Sequence, residues 1–168
     1  VSFCSPVKIG NRLILPVALA PTGDNKDVTG FSAGCFIGEW QEDRLEWQCS
    51  EFVSISPTLS TRGLFEPTIA KLADERLIMV MRGSNAINGQ NSSNIPAYKW
   101  YAISEDHGFS WRGLAGAGRA GEIVMPWTYS NGERFYSPSS GSRLIRHHQS
   151  GKLYWIGNIS AEPPYGNL

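Results

Sequence analysis

The sequence predicts an all-β chain built from four-stranded antiparallel sheets, and three observations predict it. Apolar runs are short and separated by turn residues, with 18 Gly and 10 Pro, which is the pattern of short strands joined by tight turns. No long stretch places apolar residues at helical spacing. Two kinds of hairpin also recur in the same order with a fixed period.

The first kind of hairpin spans residues 7–17, 69–81 and 144–156. Each reads as a strand, a polar turn, and a basic residue (Arg12, Arg76 or Lys152) that opens a second apolar strand. The second kind, at 35–49 and 99–111, follows the first two. The separations 76 − 12 and 111 − 47 both equal 64, so Arg12/Arg76 and Trp47/Trp111 share one offset. Two hairpins in series give a four-stranded antiparallel sheet, the unit of a β-propeller blade. Such a sheet buries its faces only by stacking on neighbours.

The chain then divides into a first unit (1–62), a second (63–128) and the opening hairpin of a third (129–168), about two and a half blades. Blades usually take about 40–50 residues. The longer period implies inserted loops, read at 21–30, 83–96 and 113–131. A closed propeller needs about four blades or more. The rest is expected from a longer chain, or from other copies through self-association.

Charge and composition narrow the partners. Fifteen basic and 15 acidic residues cancel, which argues against nucleic acid or a membrane surface as partner. No run approaches the roughly 18 apolar residues of a membrane span; the longest candidate, 13–20, is broken by Pro16. No basic-then-apolar signal segment follows Val1, which leaves the compartment open. Cys4, Cys35 and Cys49 form no C-x-x-C pair. Cys35 and Cys49 flank a hairpin at similar distances from its tip and read as two small buried residues, with a cross-strand disulfide as the alternative. There is no zinc, calcium or phosphate-loop pattern, and no metal or cofactor is expected. His147 and His148, adjacent near the turn at Ser150-Gly151, would point to opposite faces of a strand.

The sharpest motif is Ser104-Glu-Asp106-His-Gly108-Phe-Ser-Trp111. Ser104 and Asp106 can hydrogen-bond turn amides. Gly108 can take a positive φ, and Trp111 can pack back on its hairpin. A decayed version in the first unit keeps Trp47 and places Glu42 where the Asp would stand. Turn geometry accounts for these residues, so Asp106 is assigned to structure rather than chemistry.

This motif fits the Asp box, or BNR repeat, and the chain resembles bacterial sialidase (neuraminidase) superfamily domains. The resemblance is best over 63–83, the Asp box and 135–144. It implies a six-bladed propeller with a polar pocket at the centre of one face, and a secreted or periplasmic location. It also implies a glycan partner and a retaining exo-sialidase reaction, which uses a Tyr nucleophile assisted by Glu, an Asp acid/base and three Arg. Arg suits this task because its guanidinium recognises carboxylates through paired planar hydrogen bonds. In families of this kind the Asp box lies away from the substrate face.

Glu66 and Arg82 match the family's Glu-then-Arg pattern. Their position follows from the residues alone: Glu66 opens the strand before the Arg76 turn and Arg82 closes the strand after it, so an antiparallel hairpin sets them side by side. An ordinary rim ion pair is the plain alternative. Arg62 is expected to reach the same rim. Ser84 and Asn85 are candidates for bonding sugar hydroxyls, Arg143 for the pocket, and Tyr136 for its wall, or else for a place buried beside the turn at Asn131-Gly132. Tyr98 and Trp100 stack on a sugar or belong to the core. The first Arg of the triad and the acid/base Asp have no match; Asp24 and Asp27 lie in a loop of the wrong setting. The competing readings are a non-catalytic carbohydrate-binding propeller and a propeller acting on other acidic polysaccharides.

Overall fold

The computed structural model describes residues 5–20, 30–87, 90–91, 97–113 and 124–163. Among these there is no helix. Strands β1 (Val7–Ile9), β2 (Arg12–Leu19), β3 (Ser32–Gln41) and β4 (Arg44–Cys49) form one antiparallel sheet in chain order. Both of its tight turns are two-residue loops whose first residue is left-handed: Gly10 at φ 59° and Glu42 at φ 56°. That twist matches the right-handed twist of the flanking strands.

The second sheet contains β5 (Phe65–Lys71) and β6 (Leu77–Arg82), followed in the chain by the short pair β7 (Ala86–Ile87) and β8 (Gln90–Asn91). Strands β9 (Lys99–Ser104) and β10 (Met125–Pro126) complete it in the order β10-β9-β6-β5. A last hairpin joins β11 (Arg143–Arg146) to β12 (Leu153–Ile156). Neither four-stranded sheet closes on itself. No helix among the described residues is long and apolar enough to cross a membrane.

The three layers stack with the second sheet in the middle. On β6, Leu77, Met79 and Met81 face the first sheet and pack with Ile14, Cys35 and Ile37. The alternate residues Ile78 and Val80 face the last hairpin and pack with Leu144 and Trp155. A strand covered on both sides reads as an unbroken apolar run, which is why 77–81 is Leu-Ile-Met-Val-Met. Each fully buried Leu, Ile or Met of this layer contributes about 1.5–3 kcal/mol. On β4 the outer edge is exposed.

Several expectations change. The fourth strand of the second sheet is not a simple return through Trp111. Arg112 bridges Ile103, and further along the chain Met125–Pro126 pair with the same strand opposite Tyr101 and Trp100. Part of the segment read as a 113–131 loop is therefore sheet. Part of 83–96 is likewise the β7–β8 pair. The segment 21–29, with Asp24 and Asp27, lies outside the described residues, as does Cys4.

Trp47 and Trp111 share an offset but not an environment. Trp111 is fully buried, whereas Trp47 is 51% exposed and covers Gly38, where a Cβ would lie 3.0 Å from its ring. The two-residue turn at Glu42 is too short to form an Asp box. Cys49 is opposite Phe36 rather than Cys35, so the two thiols take opposite faces. Both are free, Cys35 buried and Cys49 exposed. Burial pushes the Cys35 thiol up to about 12.

The Asp box forms as its residues dictate. Gly108 N donates to Ser104 Oγ at 2.7 Å, and Ser110 N donates to Asp106 Oδ1 at 2.9 Å. His107 and Gly108 are left-handed, at φ 61° and 96°. The turn also docks the second sheet on the first. Glu51 N donates to Phe109 O at 2.8 Å, Arg112 pairs with Glu51 at 2.9 Å, and the Arg12 guanidinium lies 5.2 Å from the Phe109 ring centre.

Burial alone would raise the Asp106 carboxyl, but hydrogen bonds from Ser110 and Ser104 together hold it below its ordinary value. Asp106→Ala is expected to cost about 2 kcal/mol in urea unfolding at neutral pH. A depressed carboxylate contributes stability above its unfolded-state value and loses it as pH falls through the folded one. The gap between wild type and variant should therefore close in acid, below about pH 4.

Candidate functional site

The local backbone at Glu66 is the unusual feature of this end of the second sheet. Phe65 pairs with Arg82, and pairing resumes only at Thr68 with Val80, so Glu66 and Pro67 form a bulge. Pro67 has no N–H to give the ladder, which suits it to a bulge. Glu66 takes φ 43°, left-handed for a residue with a Cβ. A bulge re-aims a side chain, and strain at a carboxylate is a feature found at functional sites.

The bulge brings Glu66 to Arg82. Arg82 Nη1 donates to Glu66 Oε1 at 3.0 Å, with the two side chains 21% and 25% exposed respectively. Arg82 Nε donates to Ser139 Oγ at 3.1 Å, and Ser139 Oγ donates to Gly83 O at 3.0 Å. Glu66 Oε2 is buried with no hydrogen-bond partner among the described residues. The backbone of Gly141 lies over it: a side chain there would put its Cβ 2.9 Å from Oε2.

Arg62 joins this rim. Its guanidinium lies 4.9 Å from the Phe65 ring centre, with that of Arg82 at 5.7 Å from the same ring. Arg62 is exposed, while Arg82 is half-buried. The ring keeps two cations on one end of one sheet.

Lys99 is the group that the sequence reading missed. It opens β9, pairs with Arg82 on β6 and is fully buried. Its Nζ donates to Pro138 O at 3.4 Å and to Ser140 O. Burial pushes its pKa down to about 7; the Arg82 charge adds to this and the Glu66 charge opposes it. Pairing β9 with β6 sets its first residue beside Arg82, but nothing in the sequence marks a strand lysine as buried.

The other candidates are not gathered at this pair. Ser84 and Asn85 are buried in the fold rather than presented to a ligand: Ser84 N donates to Ser60 Oγ at 2.8 Å, and Ser84 O accepts from Thr61 N at 2.9 Å. Tyr136 is half-buried and stacks on Tyr98 with ring centres 5.6 Å apart. Arg143 is exposed and donates to Ser5 Oγ instead. Trp100 belongs to the core. His147 lies at the last hairpin's turn and bonds Ser150 at 2.8 Å. An open cleft of about 510 Å³ lies beside the Asp box, between Arg76, Asp106 and Arg112. Arg76 and Arg112 are held in ion pairs with Asp74 and Glu51, and Asp106 in the hydrogen bonds of its own turn, so the size of the cleft does not make it the site.

The fold and this rim define an all-β protein of stacked four-stranded antiparallel sheets, with an anionic and cationic cluster at one end of the middle sheet. No protein-family model matches the chain, and no curated protein matches it in sequence.

Proposed function

We propose that the chain is part of a sialidase-type β-propeller that binds glycans ending in an acidic sugar and hydrolyses them with retention. The single observation that carries this reading is Glu66: a carboxylate on a left-handed bulge, with one oxygen held by Arg82 and the other buried without a partner. The propeller itself is supported by the layer order. On the far face of β11–β12, Ile145, Tyr154 and Ile156 are exposed, and an apolar face of that kind suits a further blade.

In this reaction Arg62 and Arg82 hold the sugar carboxylate. Arg82 is suited to it because Ser139 and Glu66 fix its Nε and Nη1, leaving Nη2 for the ligand. The Glu66 carboxylate accepts the proton of a tyrosine hydroxyl as the tyrosine oxygen attacks the anomeric carbon, and the glycosidic bond breaks with its oxygen leaving as an alcohol, protonated by the acid/base Asp that the resemblance implies and that has no match in this sequence. A neutral tyrosine spares the site a second bare anion beside the carboxylate of the sugar. Water then attacks the anomeric carbon of the glycosyl–tyrosine adduct, an aryl glycoside, and the free sugar leaves as Glu66 returns the proton to the tyrosine oxygen. This scheme departs from the usual pair of carboxylates.

One observation favours a second reading, a carbohydrate-binding propeller without catalysis. Among the described residues no tyrosine hydroxyl bonds Glu66. Assays of the chain with a fluorogenic sialoside and a fluorogenic glucuronide, alongside calorimetric binding of the free sugars, separate the readings. Turnover that falls about 10²-fold or more in Glu66→Gln supports hydrolysis. Binding without turnover supports the second reading, and neither overturns both.

A further inference from the structure

We propose that Lys99 is the positioning residue of the Glu66–Arg82 pair, acting through the segment 137–141. It touches no ligand, because it is fully buried. Its ammonium instead gathers two backbone carbonyls, of Pro138 and Ser140, onto one point. Those carbonyls flank Ser139, whose hydroxyl receives Arg82 Nε at 3.1 Å. The residue after Ser140 is Gly141, whose backbone covers Glu66 Oε2. One cation therefore fixes both partners of the pair from behind.

A charge in this position is expensive. A buried ammonium without a counter-ion in direct contact is destabilising, and an apolar residue of similar volume is often neutral or better. The described ion pairs give Lys99 no carboxylate partner; Glu66 is bonded to Arg82 instead. The fold needs only a filler at position 99, whereas the rim needs the two carbonyls held. The charged groups acting on Lys99 are Arg82 on β6, which drives its proton off, and Glu66 on β5, which retains it. The segment it grips, Ser-Pro-Ser-Ser-Gly, has no titratable side chain.

The inference rests on the glycan reading only in taking Glu66–Arg82 as a ligand site, and its test does not use a sugar. The Arg82 Nε–H signal is followed by NMR in wild type and in Lys99→Met, at slightly acid pH, with thermal unfolding beside it. The expected result is an unfolding temperature kept or raised, with solvent exchange at Arg82 Nε–H about tenfold faster as its Ser139 acceptor drifts. Exchange unchanged in a folded variant overturns the proposal.

Should Lys99→Met fail to fold, wild type decides. The Arg82 Nε shift must then follow the same midpoint as the Lys99 Cε titration, and an Arg82 signal indifferent to that titration overturns the proposal. Sialoside binding measured in parallel keeps the two ideas apart. Freed Arg82 with no sugar binding by wild type sinks the glycan reading alone. Sugar binding with an undisturbed Arg82 in the variant sinks the Lys99 role alone.

Discussion

Gly63→Ala is expected to lower stability by about 4 kcal/mol, which for a chain of this length is a fall of roughly 8–16 °C in Tm. Gly63 is where the two large sheets touch backbone to backbone, just before the strand that carries Glu66. Phe31 N donates to Arg62 O and Leu64 N donates to Phe31 O, both at 2.8 Å. A Cβ at 63 would lie 2.1 Å from Phe31 O and 2.6 Å from Phe31 N, and neither is the movable end of a side chain. The residue is also left-handed, at φ 79°.

Gly132 supplies the control. Its φ of 84° is nearly the same, yet nothing lies within 4 Å of a Cβ placed there. Gly132→Ala carries only the left-handed strain, about 1–2 kcal/mol. Equal losses in the two variants, by urea or thermal unfolding, would show that strain and not close approach makes Gly63 indispensable. The larger loss at 63 should be accompanied by a weakened Arg62–Phe65 rim, since Arg62 and Leu64 carry the bonds that hold the sheets together.

What was legible in the sequence was whatever depends on neighbours in the chain. The Arg12, Arg76 and Lys152 hairpins form because polar turns and alternating apolar strands are local signals. The Asp box closed as written, since Ser104, Asp106 and Gly108 satisfy one another within a few residues. The turn at Arg76 sets the two strand ends on one rim, but the ladder pairs Arg82 with Phe65, and it is the bulge that turns Glu66 toward Arg82. What was not legible depends on layers far apart in the chain. Trp47 and Trp111 share a sequence offset, but Trp47 lies on β4 opposite Gly38 and is half exposed, whereas Trp111 precedes the Ile103–Arg112 bridge and is buried in the core between the sheets. Cys49 read as buried because its face could not be told from its distance to the turn. Ser84 and Asn85 read as loop residues, yet both are buried, and Ser84 is bonded to Ser60 and Thr61 from a segment far earlier in the chain. The Glu66 bulge left only Pro67 as a trace, and the burial of Lys99 left none, since a lysine in a strand reads by default as solvent-facing.

That burial has a thermodynamic signature with a definite sign. The Lys99 pKa stands at 10.5 in the unfolded chain and about 7 in the fold. Between these values the unfolded state binds a proton that the folded state does not, so stability rises with pH across this window, by at most about 1.4 kcal/mol per pH unit. Below pH 7 both states carry the proton and the fold bears the whole cost of a buried ammonium. Cys35 works against the rise from pH 9 upward, because its thiol is held unionised to about 12 and the unfolded chain ionises first. Tyr101, raised by its own burial, acts in the same direction. The wild-type curve is therefore expected to climb above neutral pH and then flatten. Lys99→Met keeps the thiol and the phenol but not the ammonium, so subtracting one urea-unfolding series from the other cancels both. The difference should favour methionine most strongly below pH 7 and shrink steadily toward pH 10; parallel curves would mean that Lys99 finds water or an anion in the folded chain and is not the buried cation that steadies Arg82.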